Sequence, residues 1–138
     1  MVTRNEPTGT RTQWLKGVTG LILLSLLDAE PSYGYELAER LGAAGLRDLN
    51  EATVYGALRR MEAAGLVESH LVASPGGPAR RYYTVTRAGR AHRQASADQW
   101  RRFVSTVDGI LSSAEPTRPT PSAGSEAYAP SSIGDEDA

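Results

Sequence analysis

At 138 residues the chain has material for one domain with a modest core and some remainder, not for two ordinary domains. It contains no cysteine, which removes disulfides, thiolate zinc sites and thiol nucleophiles together and suits a reducing compartment. The formal net charge of −1 is unevenly spread: residues 112–138 hold Arg118 against five acids, whereas residues 80–102 hold seven arginines against Asp98, a local +6 that the acidic tail masks.

Residues 1–11 read as a flexible arm with no apolar secretion segment. The longest apolar run, Leu21 to Leu27 broken by Ser25, is far too short to span a bilayer, so no membrane association and a cytoplasmic location are expected. Trp14, Leu15, Val18, Leu21, Ile22, Leu26 and Leu27 recur at three- and four-residue spacing and predict a first, mostly buried helix over 12–28. Pro31 stops that helix and Ser32 can cap a second, which carries Tyr33, Tyr35 and Leu37 and ends near Gly42 to Gly45. Tyr33 and Tyr35, like Tyr82 and Tyr83 further on, are divided between core contacts and hydroxyls donated to phosphate.

Leu46 to Leu49 is a connector, and Asn50 is the expected N-cap of a third helix. At 3.6 residues per turn Val54, Leu58, Met61 and Gly65 share one side, with Ala57 at its edge. Ala52, Gly56, Arg59 and Ala63 lie opposite, with Thr53, Tyr55 and Arg60 on the flanks. Small residues thus stand beside two arginines on a helix slim enough for a DNA major groove. Arg59 or Arg60 can fork to guanine, and Asn50, Thr53 and Tyr55 can donate to phosphates or base edges. A solvated helix face is the plainer reading of this helix taken alone.

Val67 and Leu71, then Tyr83 and Val85, predict the inner faces of two strands joined by the uncharged tip Ser74-Pro75-Gly76-Gly77-Pro78. The second strand carries Arg80 and Arg81, a basic element suited to phosphates directly after the basic helix. Helix then basic hairpin is the order of a winged helix-turn-helix, expected here over residues 12–86. Thr86 can cap a last helix over 87–113, in which Trp100, Phe103, Val104, Val107, Ile110 and Leu111 repeat at three and four. Because a small winged helix already fills its core, this stripe is expected to pair with a second copy of the chain. Trp14, Trp100 and Phe103 are divided between plain packing and lining a pocket for a planar ligand. From residue 114 the chain, rich in proline and serine, has too few apolar groups to offset ordering entropy, and a disordered acidic tail is expected, whose role is open and for which weak competition for the basic patch is one hypothesis.

Enzymatic readings find no support. His70 and His92 are the only histidines and neither has a metal-ligand spacing with a carboxylate, so no metal or cofactor is expected. The chain also lacks a nucleophile elbow, a phosphate-binding lysine loop and a dinucleotide-binding glycine motif.

Several motifs in order resemble the PadR family of transcriptional regulators, in its short subgroup with one C-terminal helix. They are Leu15-Lys16-Gly17, Tyr33-Gly34-Tyr35-Glu36-Leu37, Ala52 to Met61, Gly65-Leu66-Val67, Gly77 to Tyr83 and Thr86 to Arg90, together covering about residues 14–111. The family commonly has Pro where Gly56 stands and Leu where Val54 stands. The resemblance implies a mainly α fold with a small β-hairpin wing and a long C-terminal dimerisation helix. It implies a homodimer whose last helix packs on the first helix of the other subunit, with the third helix in the major groove and the wing along the phosphates. It further implies repression, relieved in several members by an aromatic or drug-like effector near the dimer interface, where Trp100 falls. A winged-helix protein-interaction module and a ligand sensor with little DNA affinity are the competing expectations.

Overall fold

The computed structural model describes residues 9–114, so most of the expected N-terminal arm and of the acidic tail lies outside the described residues. The elements in chain order are α1 (Thr10–Ala29), β1 (Ser32–Tyr33), α2 (Gly34–Ala43), α3 (Glu51–Ala63), β2 (Val67–Ser74), β3 (Gly77–Val85) and α4 (Arg87–Ala114). The chain divides into two compact units between Trp100 and Arg101. The first holds the helix-turn-helix, the sheet and the start of α4. In the second, the described residues are the remainder of that helix.

α1 starts two residues before the expected boundary because Arg11 is anchored, donating to the Gly45 carbonyl at 2.7 Å and pairing with Asp48 at 3.2 Å. Its buried line is Leu15, Thr19, Leu23, Leu24 and Leu27. The expected stripe is right in part: Leu15 and Leu27 are buried, and Val18, Ile22 and Leu26 pack half-buried against the core. Trp14 is 73% exposed, while Leu23 and Leu24, absent from the stripe, are the deepest residues of the helix. The reason is the near-continuous apolar run around Leu23, which leaves spacing alone unable to choose a face.

α2 and α3 end alike. In each, a glycine two residues beyond the last helical residue, Gly45 or Gly65, takes a positive φ. The next N–H, of Leu46 or Leu66, then reaches back to the carbonyl of Leu41 at 2.8 Å or Met61 at 2.9 Å. These are Schellman caps, which satisfy the last carbonyls and turn the chain sharply. At its start α3 is capped as expected, Asn50 Oδ1 accepting from the Thr53 N–H at 3.0 Å. Ser32 does not cap α2. Its buried hydroxyl donates instead to the Glu36 carboxylate at 2.6 Å, and Tyr33 occupies the cap position with no side-chain bond.

The sheet has three antiparallel strands in the order β1-β3-β2. The hairpin was expected; β1 was not, since Tyr33 was assigned to α2. Ser32 opposes Tyr83 and Tyr33 opposes Tyr82, whereas Ser69 opposes Tyr83 from the other side and Leu71 opposes Arg81. Val67, Tyr83 and Val85 are buried as expected, but Leu71 is 61% exposed, because the hairpin runs out beyond the body of the domain by that point. Leu23, Leu24, Leu37, Leu41, Val54, Leu58 and Val67 form the centre of the core, joining α1, α2, α3 and the base of the sheet.

Thr86 joins the sheet to α4. Its N–H and hydroxyl bond to the carbonyls of Leu66 and Gly65, and its Oγ1 accepts from the Gly89 N–H at 3.0 Å, the expected N-cap contact. Gly89 lets the helix start pass against the Leu66 carbonyl, which a Cβ there would strike. Asp28, at the end of α1, pairs with Arg90 at 3.2 Å. Arg93 Nε lies at the same distance from Asp28 but off the N–H axis, a charge contact rather than a hydrogen bond. Two of the seven arginines in the basic stretch are thus engaged by an acid at the α1–α4 junction.

Candidate nucleic-acid interface

α3 presents the division of faces that its sequence predicts, except that Gly65, expected on the core side, lies exposed beyond the end of the helix and Gly56, expected outward, is half-buried. Val54, Ala57, Leu58 and Met61 are buried, and Glu51, Ala52, Thr53, Arg59, Arg60 and Ala63 are exposed. Asn50 is exposed but its Oδ1 is committed to the cap, leaving the amide NH₂ as its outward group. Arg60 folds back along the helix, its Nη1 3.5 Å from the position a Cβ would take on Gly56.

Tyr55 is half-buried, and its ring lies directly against Gly34 at the start of α2, filling the space a Cβ would need. The aromatic body therefore locks the two helices of the helix-turn-helix together. Tyr35, one residue beyond Gly34, is 51% exposed. The charge of Glu39 and the hydrogen bond that Glu39 accepts hold its phenol above the ordinary value. At neutral pH Tyr35 is thus a firmly protonated donor, already directed at an acid.

The wing divides its two arginines between opposite faces, as alternation along a strand requires. Arg80 and Tyr82 lie on the outer face. The Arg80 guanidinium sits 4.7 Å above the Tyr33 ring, and Tyr33 in turn meets Tyr82 at 5.1 Å between centroids in a tilted arrangement. Arg80 is therefore held beside Tyr33, whose neighbour Gly34 touches Tyr55 of α3. Tyr33 and Gly34, consecutive in the chain, thus touch the wing on one side and α3 on the other.

Arg81 lies on the inner face with Tyr83 and Val85. Its Nη1 donates to Ser69 Oγ at 3.0 Å, and the Ser69 hydroxyl donates to Glu62 Oε2 of α3 at 2.7 Å. The buried Tyr83 phenol lies among these groups. Burial first, then the charge of Glu62, push its pKa up, while Arg81 and Arg59 oppose the shift. Arg59 and Arg81 are accordingly brought to one place, around Tyr83, and Arg80 to another. Sequence reasoning treated Arg80 and Arg81 as one element and missed Glu62 and Ser69; the alternation 80/82 against 81/83/85 was the available signal.

The second group of expected residues lies elsewhere. Trp14 borders an open depression of about 370 Å³ with Gly9, Thr10 and Gln13. On α4, Trp100 is 43% exposed within the first unit. In the second unit Phe103, Val107, Ile110 and Leu111 are exposed and Val104 is half-buried. Among the described residues, no cluster of three or more His, Asp or Glu side chains can hold a metal ion, and no helix is long and apolar enough to cross a membrane.

Comparison with known proteins agrees with this geometry. The model of the transcriptional regulator PadR-like family matches residues 23–95. A PadR-like transcriptional regulator from Bacillus cereus is 35% identical, with 72% of this chain and 96% of that one covered at a TM-score of 0.66. A PadR family regulator from Eggerthella lenta is 29% identical over 75% of this chain and 90% of its own, with a TM-score of 0.69. A transcriptional regulator from Streptococcus is 31% identical over 72% and 97%, with a TM-score of 0.65.

Proposed function

The chain belongs to the PadR-like family of transcriptional regulators, and on that premise we propose that it is a homodimeric repressor binding double-stranded DNA at a pseudo-palindromic operator. α3 enters the major groove. Arg59 and Arg60 reach base edges, each well-formed fork to guanine discriminating by ~1–3 kcal/mol, and Asn50, Thr53 and Tyr55 donate to phosphates or bases near the helix start, joined by Tyr35 when its hydroxyl turns from Glu39 to a phosphate. Arg80 meets the adjacent backbone. This reading is supported by the exposed Arg59 and Arg60 of α3 together with a wing whose inner face is joined to α3 through Arg81, Ser69 and Glu62 and whose outer face carries Arg80 over Tyr33.

The exposed apolar residues of α4 support the dimer. Phe103, Val107, Ile110 and Leu111 stand at spacings of three and four in a helix that water would otherwise cover, the pattern of a seam with a second copy. In that dimer Trp14, Trp100 and Phe103 are the residues we assign to a planar aromatic effector whose binding relieves repression.

A gel shift with DNA from upstream of the protein's own gene tests the reading. A retarded band is expected, weakened at least about tenfold by joint replacement of Arg59 and Arg60 with alanine. A wild-type protein that shifts no band, yet shows tryptophan quenching by planar compounds, would make the chain a ligand sensor instead.

A further inference from the structure

The two arginines of the wing are chemically alike and adjacent, but their surroundings differ. Arg80 rests on an uncharged aromatic ring and keeps its full charge for an outside anion. Arg81 meets a serine hydroxyl that is itself bonded to a carboxylate. A hydroxyl has one hydrogen to give and lone pairs to receive with, so Ser69 can serve both neighbours only by accepting from Arg81 and donating to Glu62. The chain of contacts runs from β3 through β2 to the last turn of α3, beside the core that joins α3 to the base of the sheet, and links groups of opposite charge around the buried Tyr83 phenol. Nothing else among the polar side-chain bonds between described residues links α3 to the wing.

We infer that Arg81 is a positioning residue: the Arg81–Ser69–Glu62 relay fixes the angle of the wing to α3, and Arg80 alone of the pair neutralises a phosphate. This rests on the DNA-binding reading and divides labour within it. It has a consequence opposite in sign to simple electrostatics. Glu62 is an exposed acid on the helix that approaches a polyanion, so its removal should tighten binding if charge were its only role. As the anchor of the relay, its removal weakens binding, because the wing is released.

Binding of the full chain to a fluorescein-labelled mixed-sequence 30-bp duplex, followed by anisotropy across a salt series, separates the roles without knowledge of the operator, since each phosphate neutralised adds ~0.9 to the slope of log K against log salt. Arg80→Ala, which removes one phosphate contact from each subunit of the dimer, is expected to reduce that slope by about two. Arg81→Ala, Ser69→Ala and Glu62→Ala are expected to weaken binding by about fivefold each with the slope kept, and Glu62→Ala/Arg81→Ala to be no weaker than either single variant, as coupled groups require. Ser69→Ala changes no charge and guards against a misfolded arginine or glutamate variant. A reduced slope for Arg81→Ala, or tighter binding by Glu62→Ala, would overturn the inference while leaving the DNA-binding reading intact. Hydrogen exchange of the β2–β3 amides gives a readout free of DNA: faster exchange in Ser69→Ala but not in Arg80→Ala supports the relay, and equal exchange contradicts it. A wild-type chain that binds no duplex would instead remove the DNA-binding reading.

Discussion

α3 and the later part of α4 are both amphipathic helices, and they meet opposite fates. In α3, Val54 and Leu58 are fully buried and Met61 nearly so, whereas in α4 Phe103, Ile110 and Leu111 are each more than half exposed. Periodicity announces that a helix has an apolar face; it says nothing about what covers that face. For α3 the cover is α1, α2 and the sheet. For α4 we propose a second copy, and the two helices should therefore respond to truncation in different ways.

The largest difference is expected at Leu58. Leu58→Ala opens a cavity at the centre of the core and should lower stability by about 3 kcal/mol in denaturant unfolding, by the same amount at every protein concentration. An intermediate effect, visible only in alkali, belongs to the inner face of the wing. The raised pKa of Tyr83 means that its contribution is complete below the unfolded phenol value of about 10 and is lost as pH rises through the folded value. Tyr83→Phe should flatten the loss of stability above about pH 10, and an unchanged alkaline limb would show that the phenol is not held in its neutral form. The smallest intrinsic effect is expected on α4. Replacing Phe103 and Ile110 with serine should cost less than about 0.5 kcal/mol at high dilution, where surface positions rarely matter. The same change should abolish the concentration dependence of the melting temperature and leave single chains in sedimentation. Equal losses in α3 and α4 at all concentrations would remove the contrast.

Much of this is legible in the sequence. α3 carried its own cap and period, and the hairpin carried a proline–glycine tip between alternating residues, so both are legible, although Gly65, read as part of the buried face, instead ends the helix. Other features had no local signal. β1 is two residues long, too short for any periodicity, and Tyr33 was therefore assigned to the following helix. Leu23 and Leu24 sit in a run that is apolar all round, which hid the buried face and wrongly promoted Trp14. Glu62, Ser69 and Arg81 are separated by seven and twelve residues, and only the strand register, Ser69 opposite Tyr83, brings them into line. The split between Arg80 and Arg81 was written in the alternation of the strand, yet adjacency in sequence suggested a shared task.

Hydroxyl-radical footprinting of the chain on the DNA upstream of its own gene addresses the central claim most directly. The account predicts two protected patches on one face of the duplex, about one helical turn or ~34 Å apart or a multiple of it, both lost together when Arg59 and Arg60 are replaced by alanine. A single protected patch, or patches that survive the loss of both arginines, would contradict it.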